Sequence, residues 1–189
     1  MGGQSLSSEL LHYFKFSPVT PTASAFIQAR KKIKIEAFEK LFQTTHAFDR
    51  CQKNYKGYLL YAHDGSDLRL PRDKMDATTY IEAVQSSYNL LHLNALYDVL
   101  NKIFVSVDFQ GRNEVDERES LLRMVDKSKF KQKTIIIADR GYRSFNVYEY
   151  LKQSGQKFVI REKDIMSKGF LNNLPLPKKD CFDTEIVFN

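Results

Sequence analysis

The sequence predicts a mixed α/β sheet, a three-strand meander followed by α-crossovers, with a small helical region in front of it. Short runs rich in β-branched and aromatic residues recur from residue 57 onward, at 57–64, 90–99, 102–109, 134–138 and 157–161. Helical patterns fall between the last three of them, at 115–125 and 144–154. Before residue 57 the periodicity is helical only. The resulting order β, β, β, α, β, α, β gives a mixed sheet with helices on its faces.

Each element has its own signal. Thr20-Pro21 has the layout of a helix start, with Thr as N-cap and Pro in the first turn. Ala25, Phe26, Ala29 and Ile33 then share a stripe, and Ile35, Phe38, Leu41 and Phe42 form a second short one. GYLLYAHD (57–64) reads as a strand running into Asp64, with Gly65-Ser66 as the turn after it. LLHLNALYDV and KIFVSVDF, joined through Leu100-Asn101-Lys102, form a hairpin. In the second strand Ile103, Val105, Val107 and Phe109 alternate with Phe104, Ser106 and Asp108. VDERESLLRMV carries acids in its first turn, where the helix dipole favours them. TIIIA is apolar enough to be buried on both faces. The next helix runs from Ser144 as N-cap to Ser154, with Gly155 closing it before KFVIR.

Composition narrows the function classes. The chain has 189 residues, 42% hydrophobic and 13% aromatic, which suits one domain or one domain with a small appendage. No apolar run approaches the roughly 18–20 residues of a membrane span, and MGGQSLSSELLHYFKF lacks the layout of a secretory signal. Cys51 and Cys181 have no partner at metal-site spacing, which favours a reducing compartment. A cytoplasmic protein is expected. The net charge is +6, and residues 1–58 hold nine Lys or Arg against four acids, so the excess is concentrated at the front. Arg30, Lys31, Lys32 and Lys34 form its densest part. That field suits a polyanion such as DNA, and equally an ordinary solvated helix face.

The chemistry centres on two carboxylates. Asp64 and Asp139 each follow a predicted strand, and neighbouring strands lie about 4.8 Å apart. If those strands are parallel neighbours, the two carboxylates can share a cation. An oxygen-only pair without a histidine triad suits Mg²⁺ or Mn²⁺, and two such ions about 3.5–4 Å apart serve phosphodiester chemistry. Asp139 also fits a simple turn cap. A Gly-rich phosphate loop is absent, and the dispersed His12, His46, His63 and His92 form no nucleophile array. Of these only His63, beside Asp64, is placed to matter, on the opposite strand face.

Four segments in order, SPVTPTASAFIQARKKIKIEAFEKLF (17–42), DGSDLRLP (64–71), ADRGYRS (138–144) and FVIREKDI (158–165), resemble the DDE transposases of bacterial insertion sequences, family four most closely. The resemblance implies a ribonuclease-H-like core. It implies DNA transposition by metal-dependent hydrolysis and strand transfer at transposon ends, in a bacterial, nucleoid-associated protein with two Mg²⁺ or Mn²⁺ ions. By analogy Asp64 and Asp139 are its first and second catalytic, metal-binding carboxylates. Arg140 and Tyr142 orient Asp139 or touch DNA, or else pack and pair locally. Asp67 reads as a solvated turn residue, and Asp108 as facing solvent or a helix.

The resemblance divides the chain into a basic, helical, DNA-binding region at 1–56, a partial core at 57–165, and the start of a β-rich insertion at 166–189. The family's third carboxylate, a helical Glu beyond that insertion, has no counterpart here. Glu162 follows a strand directly, and Glu185 lies in a strand-like segment. The expectation is a truncated transposase, inactive or nearly so alone, with double-stranded DNA as partner and self-association through unpaired strand edges. The alternative is a non-catalytic DNA-binding remnant that regulates or inhibits transposition.

Overall fold

The computed structural model describes residues 5–46, 53–130, 132–162, 174–177, 179 and 181–185. Two compact units emerge, residues 1–50 and 51–189.

The first unit is helical. Helix α1 (Leu6–Tyr13), which the sequence reading did not anticipate, starts at Ser5, whose side chain accepts from the Ser8 amide at 3.3 Å. Helix α2 (Ala23–Arg30) is capped by Thr22, which accepts from the Ala25 amide at 3.2 Å. Thr20 therefore is not the cap; its hydroxyl donates to the Ser17 carbonyl at 2.6 Å instead. Ile33 sits in the turn before α3 (Ile35–His46) and is exposed, so the apolar stripe breaks at Arg30.

The second unit carries the expected mixed sheet. Its strands are β1 (Leu59–Leu70), β2 (Tyr80–Ile81), β3 (Tyr88–Asp98), β4 (Ile103–Gln110), β5 (Thr134–Ala138) and β6 (Lys157–Ile160). They run in the order β2-β3-β1-β5-β6, with β4 pairing on β3. β1 and β3 pair antiparallel from Tyr61↔Asp98 to Leu70↔Asn89, while β5 lies parallel to both β1 and β6. The meander and its hairpin are present, with Lys102 left-handed at φ 58° in the turn. A bulge between Leu96 and Tyr97 interrupts the alternation expected along β4.

Two expectations fail along β1. The strand does not turn at Gly65-Ser66 but continues to Leu70, because β3 offers ten residues of unbroken ladder opposite it. Asp64 is thus within a strand, and Asp67 is a strand residue, not a turn residue.

Helices α4 (Glu117–Ser128) and α5 (Phe145–Gln153) pack on the sheet and on each other. Leu59 and Tyr61 of β1, Leu96 of β3 and Ile136 of β5 meet Leu121 and Met124 of α4 and Val147 and Leu151 of α5 in one buried cluster. Each large apolar side chain buried there contributes about 1.5–3 kcal/mol. Ser144 holds the N-cap position of α5, and Gly155 takes the left-handed φ of 70° just past its end. Most of the expected β-rich insertion (166–189) lies outside the described residues, and those described between 174 and 185 form no strand.

Candidate active site

The parallel ladder leads towards the two sequence-predicted carboxylates. β1 and β5 pair from Leu59↔Thr134 to Ala62↔Ile137. Continued two residues past its last pair, that register sets Asp64 beside Asp139. Both side chains are exposed. Asp64 Oδ1 accepts from the Gly65 amide at 3.0 Å. Asp139 Oδ1 accepts from the Gly141 amide at 2.6 Å and caps the single 3-10 turn Arg140–Tyr142. Asp139 is therefore a turn cap, as its place after the strand allowed, and the cap fixes its carboxylate at the strand end.

Behind the pair lies a second polar group. Tyr142 is 1% exposed, its ring edge-on to His63 with centroids 4.9 Å apart. Burial above all pushes its hydroxyl pKa far above the ordinary tyrosine range, and the negative charges of Glu117, Asp64 and Asp139 add to this; the hydroxyl has no hydrogen-bond partner among the described residues. Glu117 Oε1 lies 3.1 Å from His92 Nε2, and His92 Nδ1 lies 2.8 Å from Asp67 Oδ1. The floor beneath them is Gly65. A Cβ there would stand 2.5 Å from Glu117 Oε1 and 2.6 Å from His92 Nε2. Gly65 is required by this close approach within a strand, not by a turn.

Helix α4 is held so that Glu117 stays over that floor. Asp116 caps the helix by accepting from the Glu119 amide at 3.0 Å. Gln110 donates to the Asp116 carbonyl at 3.1 Å, accepts from the Asp116 amide at 3.3 Å, and also accepts from Asn94 at 2.9 Å. Arg118 donates to the Gly141 carbonyl at 2.8 Å, tying the 3-10 turn to the same helix. Asp108 faces α4, accepting from Ser120 at 2.8 Å and Arg123 at 2.7 Å. Burial pushes its carboxyl pKa up, but those bonds outweigh burial and hold it below the ordinary value.

The remaining candidates separate. Arg30 ends α2, and Lys31, Lys32 and Lys34 occupy the segment after it, all exposed, in the first unit. Arg140 is exposed next to Asp139. Tyr142 is buried, so it packs and orients and is out of reach of a DNA backbone. Glu162 is tied to the Tyr148 hydroxyl and to Arg143. Glu185 is exposed outside any strand. His63 is buried on the face opposite Asp64, and burial pushes its pKa down to about 4. The reading that only His63 could matter is corrected by His92, which touches two carboxylates.

Among the described residues no group of three or more His, Cys, Asp or Glu is arranged to hold a metal. Two exposed carboxylates on adjoining strand positions nevertheless fit a hard cation such as Mg²⁺, which commonly takes one or two carboxylates and keeps several waters. No helix among the described residues is long and apolar enough to cross a membrane.

The sequence matches a family model described as the transposase DDE domain over residues 55–185. No curated protein matches the chain. Among solved structures, the piggyBac transposase synaptic complex with hairpin DNA is similar at 17% identity and a TM-score of 0.39, covering 55% of this chain and 22% of that one. The Mos1 mariner paired-end complex with Mn is similar at 8% identity and a TM-score of 0.37, covering 84% of this chain. A Mos1 transposase paired-end complex with left transposon end gives 9% and 0.37, again covering 84%. The chain spans 59% and 60% of the length of those two Mos1 chains.

Proposed function

Because the chain belongs to the transposase DDE domain family, we propose that it serves DNA transposition, cutting and joining phosphodiester bonds at transposon ends, with Asp64 and Asp139 as the catalytic carboxylates. The observation that supports this is the β1–β5 register, which, extended two residues past its last pair, aligns those two exposed acids. They would hold Mg²⁺ or Mn²⁺, and the bound ion would activate water and stabilise the leaving oxygen. The protein's own part is orientation. The Gly141 amide fixes Asp139, the Gly65 amide fixes Asp64, and buried Tyr142 braces the turn between strand and helix.

Within this reading the element is a bacterial insertion sequence of family four. Residues 1–56 bind DNA through Arg30, Lys31, Lys32 and Lys34, assisted by Arg140 near the site. Two carboxylates alone make a weak nuclease, so the chain by itself nicks DNA feebly or not at all. The test is nicking of supercoiled plasmid with Mn²⁺. Robust nicking lost in Asp139→Ala would establish the active site and overturn the expected feebleness; nicking unchanged in that variant would remove Asp139 from the mechanism.

A second reading is favoured by one observation, the absence among the described residues of a third acid placed to ligate metal with this pair. On it the chain is a non-catalytic DNA binder that occupies transposon ends. Binding to transposon-end DNA with no cation requirement and no nicking would favour it.

A further inference from the structure

The described residues hold one carboxylate that the two-acid reading leaves without a role. Glu117 is the first residue of α4, and it is set apart from an ordinary helix-start acid by what surrounds it. Its Oε1 lies over Gly65, directly after Asp64, at a point where even a methyl group would collide with it. His92, 8% exposed, holds it from the β3 side, and Asp67 holds His92 from β1. Tyr142 adds a fully buried hydroxyl that has no hydrogen-bond partner among the described residues and feels the charges of Glu117, Asp64 and Asp139. Glu119, one turn position on, lacks all of this: it is exposed and pairs with Arg123.

We infer that Glu117 is a positioning residue of the cation site, a carboxylate held behind Asp64 and Asp139 by Gly65, His92 and Tyr142 that sets the affinity of the pair for a divalent ion. The inference rests on the reading of Asp64 and Asp139 as that pair. The physical reason is charge and order together. Three carboxylates around one buried hydroxyl repel one another until a cation arrives, so their shared field is strongest for a doubly charged ion. Arg118, the next residue of the same helix turn, donates to the Gly141 carbonyl at 2.8 Å and so couples the start of α4 to the turn that carries Asp139. Glu117 need not touch the ion. Partners one layer behind metal ligands commonly change affinity by about 10–100-fold when replaced.

The experiment is a titration of the purified full chain with Mn²⁺, reading free Mn²⁺ by its electron paramagnetic resonance signal, with urea unfolding run on each variant. Glu117→Gln keeps the size and shape of the side chain but removes its charge; it is expected to weaken Mn²⁺ binding about 10-fold or more, with an unfolding midpoint matching that of Glu119→Gln. Glu119→Gln is expected to bind as the unaltered chain does. Gly65→Ala retains every charge and displaces Glu117, so it weakens binding in the same direction. It decides the matter alone if Glu117→Gln does not fold. Glu117→Gln and Gly65→Ala both binding like the unaltered chain, while Asp139→Asn has lost binding, would overturn the role of Glu117 and leave the pair standing. No Mn²⁺ binding by the unaltered chain, or full binding by Asp139→Asn, would sink the pair and this inference with it.

Discussion

At the scale of single residues, His63 gives the clearest pH dependence. It is buried, neither ring nitrogen has a hydrogen-bond partner among the described residues, and burial lowers its pKa from 6.5 to about 4. Between those values the unfolded chain takes up a proton that the folded chain refuses, so stability falls as pH drops from about 6.5 towards 4 and is fully present above that window. Each pH unit there costs up to about 1.4 kcal/mol. Urea midpoints measured from pH 7 to pH 4.5 should decline, and His63→Gln should flatten the decline; an equal slope in both would assign it to other groups. The sequence showed His63 on the face opposite Asp64, because strand alternation needs no partner to be read. It did not show His92 meeting Asp67. That contact depends on the antiparallel register of β1 and β3, which the long excursion between residues 71 and 87 leaves open until both strands are placed. Gly65 was misread for a related reason. A Gly-Ser pair after a strand has the chemistry of a turn, and only the approach of Glu117 explains it otherwise.

At the scale of elements, α4 is the part that makes the site. Its start is held by its own cap and by Gln110, two devices of different strength. Asp116→Ala removes one cap bond and is expected to cost about 1 kcal/mol. Gln110→Ala strands the buried Asn94 amide and removes two bonds to the Asp116 backbone, whose carbonyl keeps the Ser120 amide, and is expected to cost about 2–3 kcal/mol. Chemical denaturation of the two variants checks the order, and equal losses would mean that Gln110 relaxes freely. Gln110→Ala should also weaken Mn²⁺ binding, because α4 carries Glu117. The acidic first turn of α4 was legible in VDERES as a dipole-favoured helix start. Nothing in that pattern separates Glu117, which turns to the sheet, from Glu119, which turns to solvent. Only the packing of α4 across β1, β3 and β4 does so. The strands themselves were legible because the mixed sheet is built from apolar runs; the two-residue β2 was not, since Tyr80–Ile81 is too short to show a period.

At the scale of the whole molecule, charge and core divide the work between the two units. Positive charge is densest in the first, and the buried cluster and the carboxylate pair lie in the second. Reversing Arg30, Lys31 and Lys32 to acids should therefore weaken DNA binding while leaving the second unit folded. If all three meet phosphates, the slope of log affinity against log salt should shrink by about 2.7, at roughly 0.9 per contact. Unchanged affinity would mean that these residues are only a solvated face. In the other direction, Leu121→Ala removes a fully buried side chain from the core and should cost about 2–5 kcal/mol, with DNA binding by the first unit retained. The two-part layout was visible in the sequence as a shift from helical to alternating periods, and Asp139 stood out as the polar end of an apolar run. β1 carries one further consequence. Tyr61 and Ala62 are paired with β3 on one edge and β5 on the other, whereas from His63 to Leu70 the named ladder runs along one edge alone. Amide hydrogen exchange should report this as a gradient within a single strand, slow at Tyr61 and Ala62 and faster beyond them. Asp64 sits two residues past that step, in the stretch free to breathe, just beyond its last firm footing.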